Sequence, residues 1–575
     1  MKPLRVVGTV VGTVAATALA VACILVPAAA PAAAAGDTLM VNVGTVLRPV
    51  THVAAGGLYA LASATVPTAA ELPPLHLNQL VQPAPGVQQL GNGATVPTGD
   101  ALKVAPLAIG AGAQEYVRMP DIYPNFPYKW VSWSDWLSKV DTMVQARLAA
   151  TTTTNIDGWE LWNEPDWTWD TAAAGSFDAG WVRTFQAVRA LDSVTPIVGP
   201  SISVYNHAWM ANWLAYAKAN NALPNVITWH QLTTGSYASV AADVADFTAL
   251  EASLGISPIP ISIDEYASTS EVDVPSAALH YIAAFERSGI LNASRAYWYE
   301  SGTVNGLLYN NLPTGTYWLY KWYGDMAGNM VTVTPAGSQD GIASYDSTRK
   351  IVNVVFGGDS GNNSVLVNGL TPLGSSVKVV LSYTPDSGRL ANVSAPTTVS
   401  TTTYTVSNGT VTIPITSQNS SGAYQLLITP AAGPTTSYQQ TYEAENATIV
   451  NANIEASPAA SNGYYVGNIN GSGDERSDSF VDVLVDVPTA GTYTLAVRYA
   501  NGGTATSTQG LAYDSGGWST VTYPPTGSWT TFATTTAGTL TLKAGSNVIR
   551  LAKGSPYFAG GTGYAELDSI TVTPS

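Results

Sequence analysis

The chain has 575 residues, a formal charge of −16, 46% hydrophobic residues and only 11% charged ones. This length calls for several domains, the apolar content excludes a disordered chain, and the acidic balance disfavours nucleic acid and anionic membranes as partners. The single cysteine, Cys23, lies in the N-terminal segment described next, which excludes disulfides, thiol catalysis and thiolate metal sites from a mature chain.

Lys2 and Arg5 precede an apolar run from Val6 to Val26, and an Ala-rich stretch ends at Ala33-Ala34-Ala35. This is the pattern of a signal peptide over 1–35, so a secreted, extracellular protein is expected, with no membrane association after cleavage. Within 36–49, Thr38 to Pro49 alternates as a strand does and is expected to join a side β-sandwich formed further along.

Residues 50–330 alternate strand-like and helix-like segments. The strands are expected at Gly57–Leu61, Leu75–Val81, Gln114–Met119, Trp159–Trp162, Pro196–Gly199, Val226–His230, Pro260–Asp264 and Arg295–Tyr299. Amphipathic stretches lie between them: Ser134–Ala149, with Ser134 as a cap candidate, then Trp181–Leu191, His207–Ala219, Val240–Leu254 and Pro275–Ser288. Eight strands alternating with helices over this length predict a (β/α)8 barrel. An open doubly wound sheet is the alternative, weakened because no Gly-rich nucleotide loop follows the first strand.

Helical periodicity ends beyond that point. Residues 331–430 read as a β-sandwich, with runs such as IVNVVFGG, SVKVVLSY and AYQLLITP. A Pro/Gly/Thr linker occupies 431–440, and 441–575 form a second all-β unit of jelly-roll type. The fold class is therefore α/β plus all-β.

The chemistry concentrates at two strand ends. Trp162-Asn163-Glu164-Pro165 closes the fourth strand and Ile263-Asp264-Glu265-Tyr266 the seventh. Carboxylates at the C-terminal mouth of a barrel, roughly 5–5.5 Å apart, can cleave a glycosidic bond with retention, one as acid then base and the other as nucleophile. Asn163 can bind a substrate hydroxyl. Glu160, four residues before Glu164, should lie deeper in the barrel, and Asp264 should face away from Glu265. Glu300 is a candidate substrate contact and the second candidate nucleophile, and Asp121 is a candidate acceptor for a substrate hydroxyl. Tyr123, Phe126, Tyr128, Trp130, Trp133, Trp167 and Trp169 supply candidate sugar-stacking walls, whereas Trp136 falls in a helical pattern and should be core. Glu164 should carry a raised pKa, with Arg118 or His230 keeping Glu265 ionised.

The motif WELWNEPD, a Trp-His on the sixth strand and a Glu ending the seventh resemble the clan A retaining glycosidases, most of all glycoside hydrolase family 39, the β-xylosidase/α-L-iduronidase family. The resemblance implies Glu164 as acid/base, Asn163 as its companion on a 2-hydroxyl, Glu265 as nucleophile, His230 as a contact of the nucleophile and Trp298 as the floor of the sugar subsite. Arg118 would stand in for the clan's basic residue near the nucleophile, although the clan carries it on strand two and here it falls on strand three.

In the last unit, YEAENA, GYYVGNI, AGTYTLAVRYANG, LKAGSNVIRL and ELDSITV resemble carbohydrate-binding module family 35 and its relative, family 6. Alternate glutamates on a strand share one face and can join an adjacent aspartate around Ca²⁺. The resemblance implies Glu443, Glu445 and Asp568 as ligands of a structural calcium ion, and ligand-contacting loops at Tyr465, Asn501, Trp518 and Trp529. No cofactor for catalysis is expected.

The expected activity is retaining hydrolysis of plant-type polysaccharide or oligosaccharide (xylan, arabinan or arabinogalactan side chains) by an exo-acting monomer. An endo-acting hydrolase of the same clan is the first alternative, and a non-catalytic carbohydrate-binding or adhesion protein the second.

Overall fold

The computed structural model describes residues 36–86, 99–296, 301–431, 438–469, 478–487, 489–513, 517–543, 545–554 and 558–575. The expected signal peptide, Trp298 and Glu300 lie outside the described residues.

Eight parallel strands close into a barrel: β1 (Gly56–Leu58), β2 (Gln79–Pro83), β3 (Gln114–Arg118), β4 (Ile156–Glu160), β5 (Ile197–Ile202), β6 (Val226–Gln231), β7 (Ile261–Tyr266) and β8 (Asn292–Arg295). Closure is made by β1 against β8, with Gly56 opposite Ser294. Every residue of β2, β5, β6, β7 and β8 is buried, as strands covered on both faces must be. Inside, Gly158 on β4 leaves the room that the Tyr116 ring fills; a Cβ there would come within 2.7 Å of that ring.

The strands sit a few residues from their expected places. β1 is shorter, β2 starts four residues later behind a 3-10 turn at Pro73–Leu75, and β8 starts three residues earlier. β4 stops at Glu160, which places Trp162, Asn163 and Glu164 in the loop beyond the strand.

The outer helices are α1 (Ala101–Gly110), α2 (Trp133–Ala149), α3 (Phe177–Leu191), α4 (His207–Ala219), α5 (Val240–Ser253), α6 (Pro275–Ser288) and α7 (Gly315–Gly324). The cap of α2 is Ser132, whose side chain accepts from the Asp135 N–H, so Ser134 is not the cap. Trp136 is fully buried, as its helical position requires.

Thr38–Pro49 does join the sandwich. It pairs antiparallel with Asn329–Thr334 and parallel with Gly361–Asn368, as an inner strand of a nine-stranded sheet. That sheet folds around one core of Val, Leu and Ile, including Leu39, Val41, Val354, Val365, Val379 and Ile413. Both ends of the barrel are thus tied to the same side domain.

The C-terminal unit packs two sheets. One contains Gly491–Ala500, Phe532–Leu542 and Glu566–Pro574; the other contains Asp478–Val487, Ser507–Tyr513 and Gly545–Gly554. Lys378 of the sandwich pairs with Asp486 of this unit. A cavity of about 170 Å³ separates the barrel's N-terminal face, at His52, His76 and Gly112, from Glu445, Asn462 and Tyr464. Among the described residues no helix is long and apolar enough to cross a membrane.

Candidate active site

Glu164 occupies a constrained backbone position. Its φ is 50° and ψ 50°, left-handed values for a non-glycine residue that also precedes a proline. Such a conformation costs of order 1–3 kcal/mol and persists only where its surroundings hold it. Here the Glu164 N–H donates to the Ser201 carbonyl at 2.8 Å, while its own carbonyl accepts from the N–H groups of Trp167 (3.1 Å) and Thr168 (2.9 Å). The turn Pro165–Thr168 follows at once and aims the carboxylate back over the barrel mouth. Beneath it, the Trp162 indole donates to Thr168 Oγ1 at 2.9 Å, and that hydroxyl donates to the Asn163 carbonyl at 2.7 Å.

Glu265 is delivered by a β-bulge. Along β6 and β7, Trp229 faces Ile263 but His230 faces Glu265, so Asp264 is an extra residue on β7. This corrects the expectation that Asp264 faces away. Simple alternation fails at the bulge, and Asp264 lies inside, 3.7 Å from His230 Nε2 and 3.9 Å from Arg118 Nη2.

One imidazole connects the two carboxylates. His230 Nδ1 is 3.2 Å from Glu164 Oε1, and its Nε2 is 3.6 Å from Glu265 Oε1. His230 is therefore hydrogen-bonded to the expected acid/base and merely adjacent to the expected nucleophile. Arg118, at the end of β3, donates to Glu265 through Nη1 and to Glu160 through Nε at 2.8 Å. Its third-strand position does not prevent it from reaching Glu265, the expected nucleophile. Glu160 is fully buried and lies deeper, as expected.

Asp121 does not have the open carboxylate expected of a substrate contact. It is wholly buried and accepts from the hydroxyls of Tyr59 at 2.6 Å and Tyr128 at 2.8 Å. Tyr59 also lies 3.5 Å from Arg118 Nη1, so the three residues brace the guanidinium. Tyr59 was not expected here; its only sequence signal is its place at the end of the first strand. Asn163 is 3% exposed with its side-chain oxygen unpartnered, a buried acceptor available to a ligand hydroxyl.

The electrostatics reverse one expectation. Burial works to raise Glu164, but the His230 hydrogen bond and charge outweigh it and hold this carboxyl below its ordinary range. Glu265 is pushed up, first by burial and then by the facing Glu164, against the pull of His230 and Arg118. Burial opposes charge on His230 as well, yet Glu265, Asp264 and Glu164 lift it to about 10. Burial moves Glu160 up to about 8 and Asp121 up to about 6. The physical reason is crowding: Glu160, Glu164, Asp264, Glu265 and Asp121 share two cations, and the deepest acids lose most solvation.

Most of the candidate sugar-stacking rings belong to the core. Trp162 packs against Trp136 (5.2 Å), Trp169 (4.8 Å) and Tyr128 (5.4 Å), and Tyr123, Tyr128 and Trp169 are all buried. Phe126, Trp130 and Trp133 are half-buried against that core, and Trp167 is 52% exposed.

In the C-terminal unit, Ser461 gathers two of the expected calcium ligands. Its hydroxyl donates to Glu443 at 2.5 Å and to Asp568 at 2.9 Å, and its N–H donates to Asp568 at 2.8 Å. Glu445 accepts from Asn462 at 3.1 Å, and its other oxygen is buried without a partner. Burial, then Glu443 and Asp568, push Glu445 up to about 8. Arg498 sits on Asp568. The donor set is all oxygen and short of positive charge, as a calcium site is, although among the described residues no three acidic or histidine side chains hold metal-ligating geometry. Of the expected sugar-contacting residues there, Trp518 and Trp529 are 42% and 39% exposed, whereas Tyr465 and Asn501 are buried.

Residues 440–575 match the carbohydrate-binding module (family 35) model. The solved structure of N2152 from Neocallimastix frontalis is 32% identical, superposes with a TM-score of 0.64, and covers 68% of this chain and 99% of its own. The chain belongs to the same family as N2152. A GH39 enzyme from Xanthomonas axonopodis pv. citri shares the fold at 16% identity and a TM-score of 0.51, covering 71% of this chain and all (100%) of its own. Among curated proteins, a 3-O-alpha-D-galactosyl-alpha-L-arabinofuranosidase of Bifidobacterium longum subsp. longum is 28% identical over 345 residues, 53% of this chain. This chain spans only 30% of that relative's length. The protein is glycoside-hydrolase-like, with arabinofuranosidase relatives and a family 35 module, and carbohydrate is the ligand that this combination implies.

Proposed function

We propose that the protein is a retaining, exo-acting glycosidase that removes arabinofuranosyl-containing ends from plant-type side chains outside the cell, with the C-terminal module holding the enzyme on its polymer. The observation that carries this reading is the shared imidazole: the carboxyls of Glu164 and Glu265 each approach one nitrogen of His230, so both face one site. The arabinofuranosyl preference rests on the likeness to the arabinofuranosidase of Bifidobacterium longum subsp. longum.

In this mechanism Glu265 attacks the anomeric carbon while Glu164 gives its proton to the departing oxygen, leaving a glycosyl ester on Glu265. Water, deprotonated by Glu164, then attacks the same carbon and frees Glu265, with net retention. The chain's own residues set the protonation states. Glu164 and Glu265 are coupled through His230 and titrate as a unit. A sugar whose anomeric carbon gains positive charge favours the anion of Glu265, and the shared proton then belongs on Glu164. Arg118, braced by Tyr59 and Asp121, keeps Glu265 aimed.

Glu443, Glu445 and Asp568 would hold a structural calcium ion that neutralises their mutual repulsion and stabilises the module; the ion has no part in the chemistry.

Glu265→Ala should abolish turnover of p-nitrophenyl α-L-arabinofuranoside, and added azide should restore it with the inverted glycosyl azide as product. No rescue by any small nucleophile, with the variant still folded, would remove Glu265 from the role.

A further inference from the structure

Among the described residues of the β3 and β4 loops, Trp167 presents an aromatic face to solvent. Its neighbours Trp136, Trp162 and Trp169 are 0, 2 and 7% exposed, and each places its indole N–H on a protein partner: Thr184, Thr168 and the Gly175 carbonyl. Trp167 is 52% exposed. Exposure alone means little on a protein surface; placement is what matters here.

The turn that carries the ring is anchored, and one ring packs against it. Its backbone is bound to the Glu164 carbonyl, and the preceding Asp166 accepts from the Ser203 N–H at 3.0 Å, anchoring the turn to the loop after β5. Phe126 stands edge-on to it at 5.4 Å and is itself backed by Tyr128 at 5.4 Å. The indole lies close enough to the Glu164 carboxyl to help hold it down, after burial and the larger effect of His230.

We propose that Trp167 is the platform for the first sugar ring of the leaving group, and so selects glycosides whose leaving group is itself a saccharide. The inference rests on Glu164 as the acid/base. The acid must touch the oxygen that joins the cleaved sugar to its leaving group. A ring three residues beyond the acid on the same turn, its backbone bound to the Glu164 carbonyl and its side chain half exposed, lies within one sugar's width of that oxygen, on the outer side. A saccharide offers a C–H face for the indole and hydroxyls for the water around it, the match that amphipathic aromatic rings make at wet surfaces. The indole face and its N–H do separate work: the face binds the leaving sugar and the N–H tunes the acid.

The test pairs two substrates with equal demand for acid catalysis, α-1,5-arabinobiose and methyl α-L-arabinofuranoside, on the full-length protein. Trp167→Ala should lower kcat/KM for the disaccharide about tenfold more than for the methyl glycoside, mainly through KM. Trp167→Phe should keep most of the disaccharide preference but move the alkaline limb of its kcat/KM profile to higher pH, because an N–H that favours the carboxylate is lost. Equal losses on both substrates in Trp167→Ala would overturn the platform. An unmoved alkaline limb in Trp167→Phe would overturn the contact with Glu164. A wild-type protein inactive on arabinofuranosides is assayed with the disaccharide and methyl glycoside of the sugar it does cleave; inactivity on every glycoside would overturn the glycosidase reading, and this inference with it.

Discussion

A single histidine governs the charge of the site. His230 lowers the pKa of both Glu164 and Glu265, on which burial acts in the opposite direction. Replacing it by a neutral residue of similar size removes a cation from between two carboxylates, and both should then hold their protons to higher pH. His230→Gln is therefore expected to move both limbs of the pH–kcat/KM profile upward. In the proposed mechanism the acidic limb moves because Glu265 must ionise, the alkaline limb because Glu164 must stay protonated. A profile displaced downward, or one limb fixed, would separate the histidine from that carboxylate. The importance of His230 was legible in the sequence, but its direct bond to Glu164 was not. Spacing along a strand says which side chains share a face; the neighbour across the barrel depends on register.

Among the elements, α2 gives a direct test of register. Ser132 caps it, with the Asp135 N–H on its hydroxyl at 3.1 Å, and Trp136 and Val140 carry its buried face. Ser132→Ala should lower stability by about 1 kcal/mol in thermal unfolding. Ser134→Ala, one position inside the helix, should change it little. The reverse ranking would shift the start of α2. Helices α1, with Pro106 inside it, and α7 were not expected, but the eight barrel strands, helices α2 to α6 and the N-terminal strand of the sandwich could be read from periodicity. Three features could not. The bulge at Asp264 leaves no mark in composition, since an extra residue in a strand looks like any other. Asp121 looked free because its partners, Tyr59 and Tyr128, come from two different loops. The fourth strand ends before Trp162 because the apolar residues beyond it pack into an aromatic cluster that single-strand alternation does not describe.

On the scale of the whole molecule, the barrel is held between the sandwich and the C-terminal module. Arg48, on the N-terminal strand of the sandwich, pairs with Glu286 on α6 at 2.5 Å, and Lys378 links sandwich to module. The third junction is the cavity below the barrel, where the rings of His52 and His76 stack at 4.8 Å near Glu445 and Tyr464. Burial, then the facing His76, lowers His52 to about 4, and burial also lowers His76. For a histidine with a depressed folded pKa, stability is fully present above the unfolded value of about 6.5 and is lost as pH falls toward 4. His52→Gln should therefore remove part of the destabilisation between pH 7 and pH 5, so that in differential scanning calorimetry the melting temperature of the variant falls less, or rises more, over that interval than that of the unaltered chain. An unchanged slope in the variant would remove His52 as the source. In the proposed mechanism the central event is the transfer of a sugar to a carboxylate at the barrel mouth. Inactivation with a 2-deoxy-2-fluoro glycosyl donor of the accepted configuration, followed by peptide mass mapping, shows which carboxylate takes it. The label is predicted as an ester on Glu265. A label on Glu300 or any other side chain, or turnover that releases the inverted sugar, would contradict the assignment.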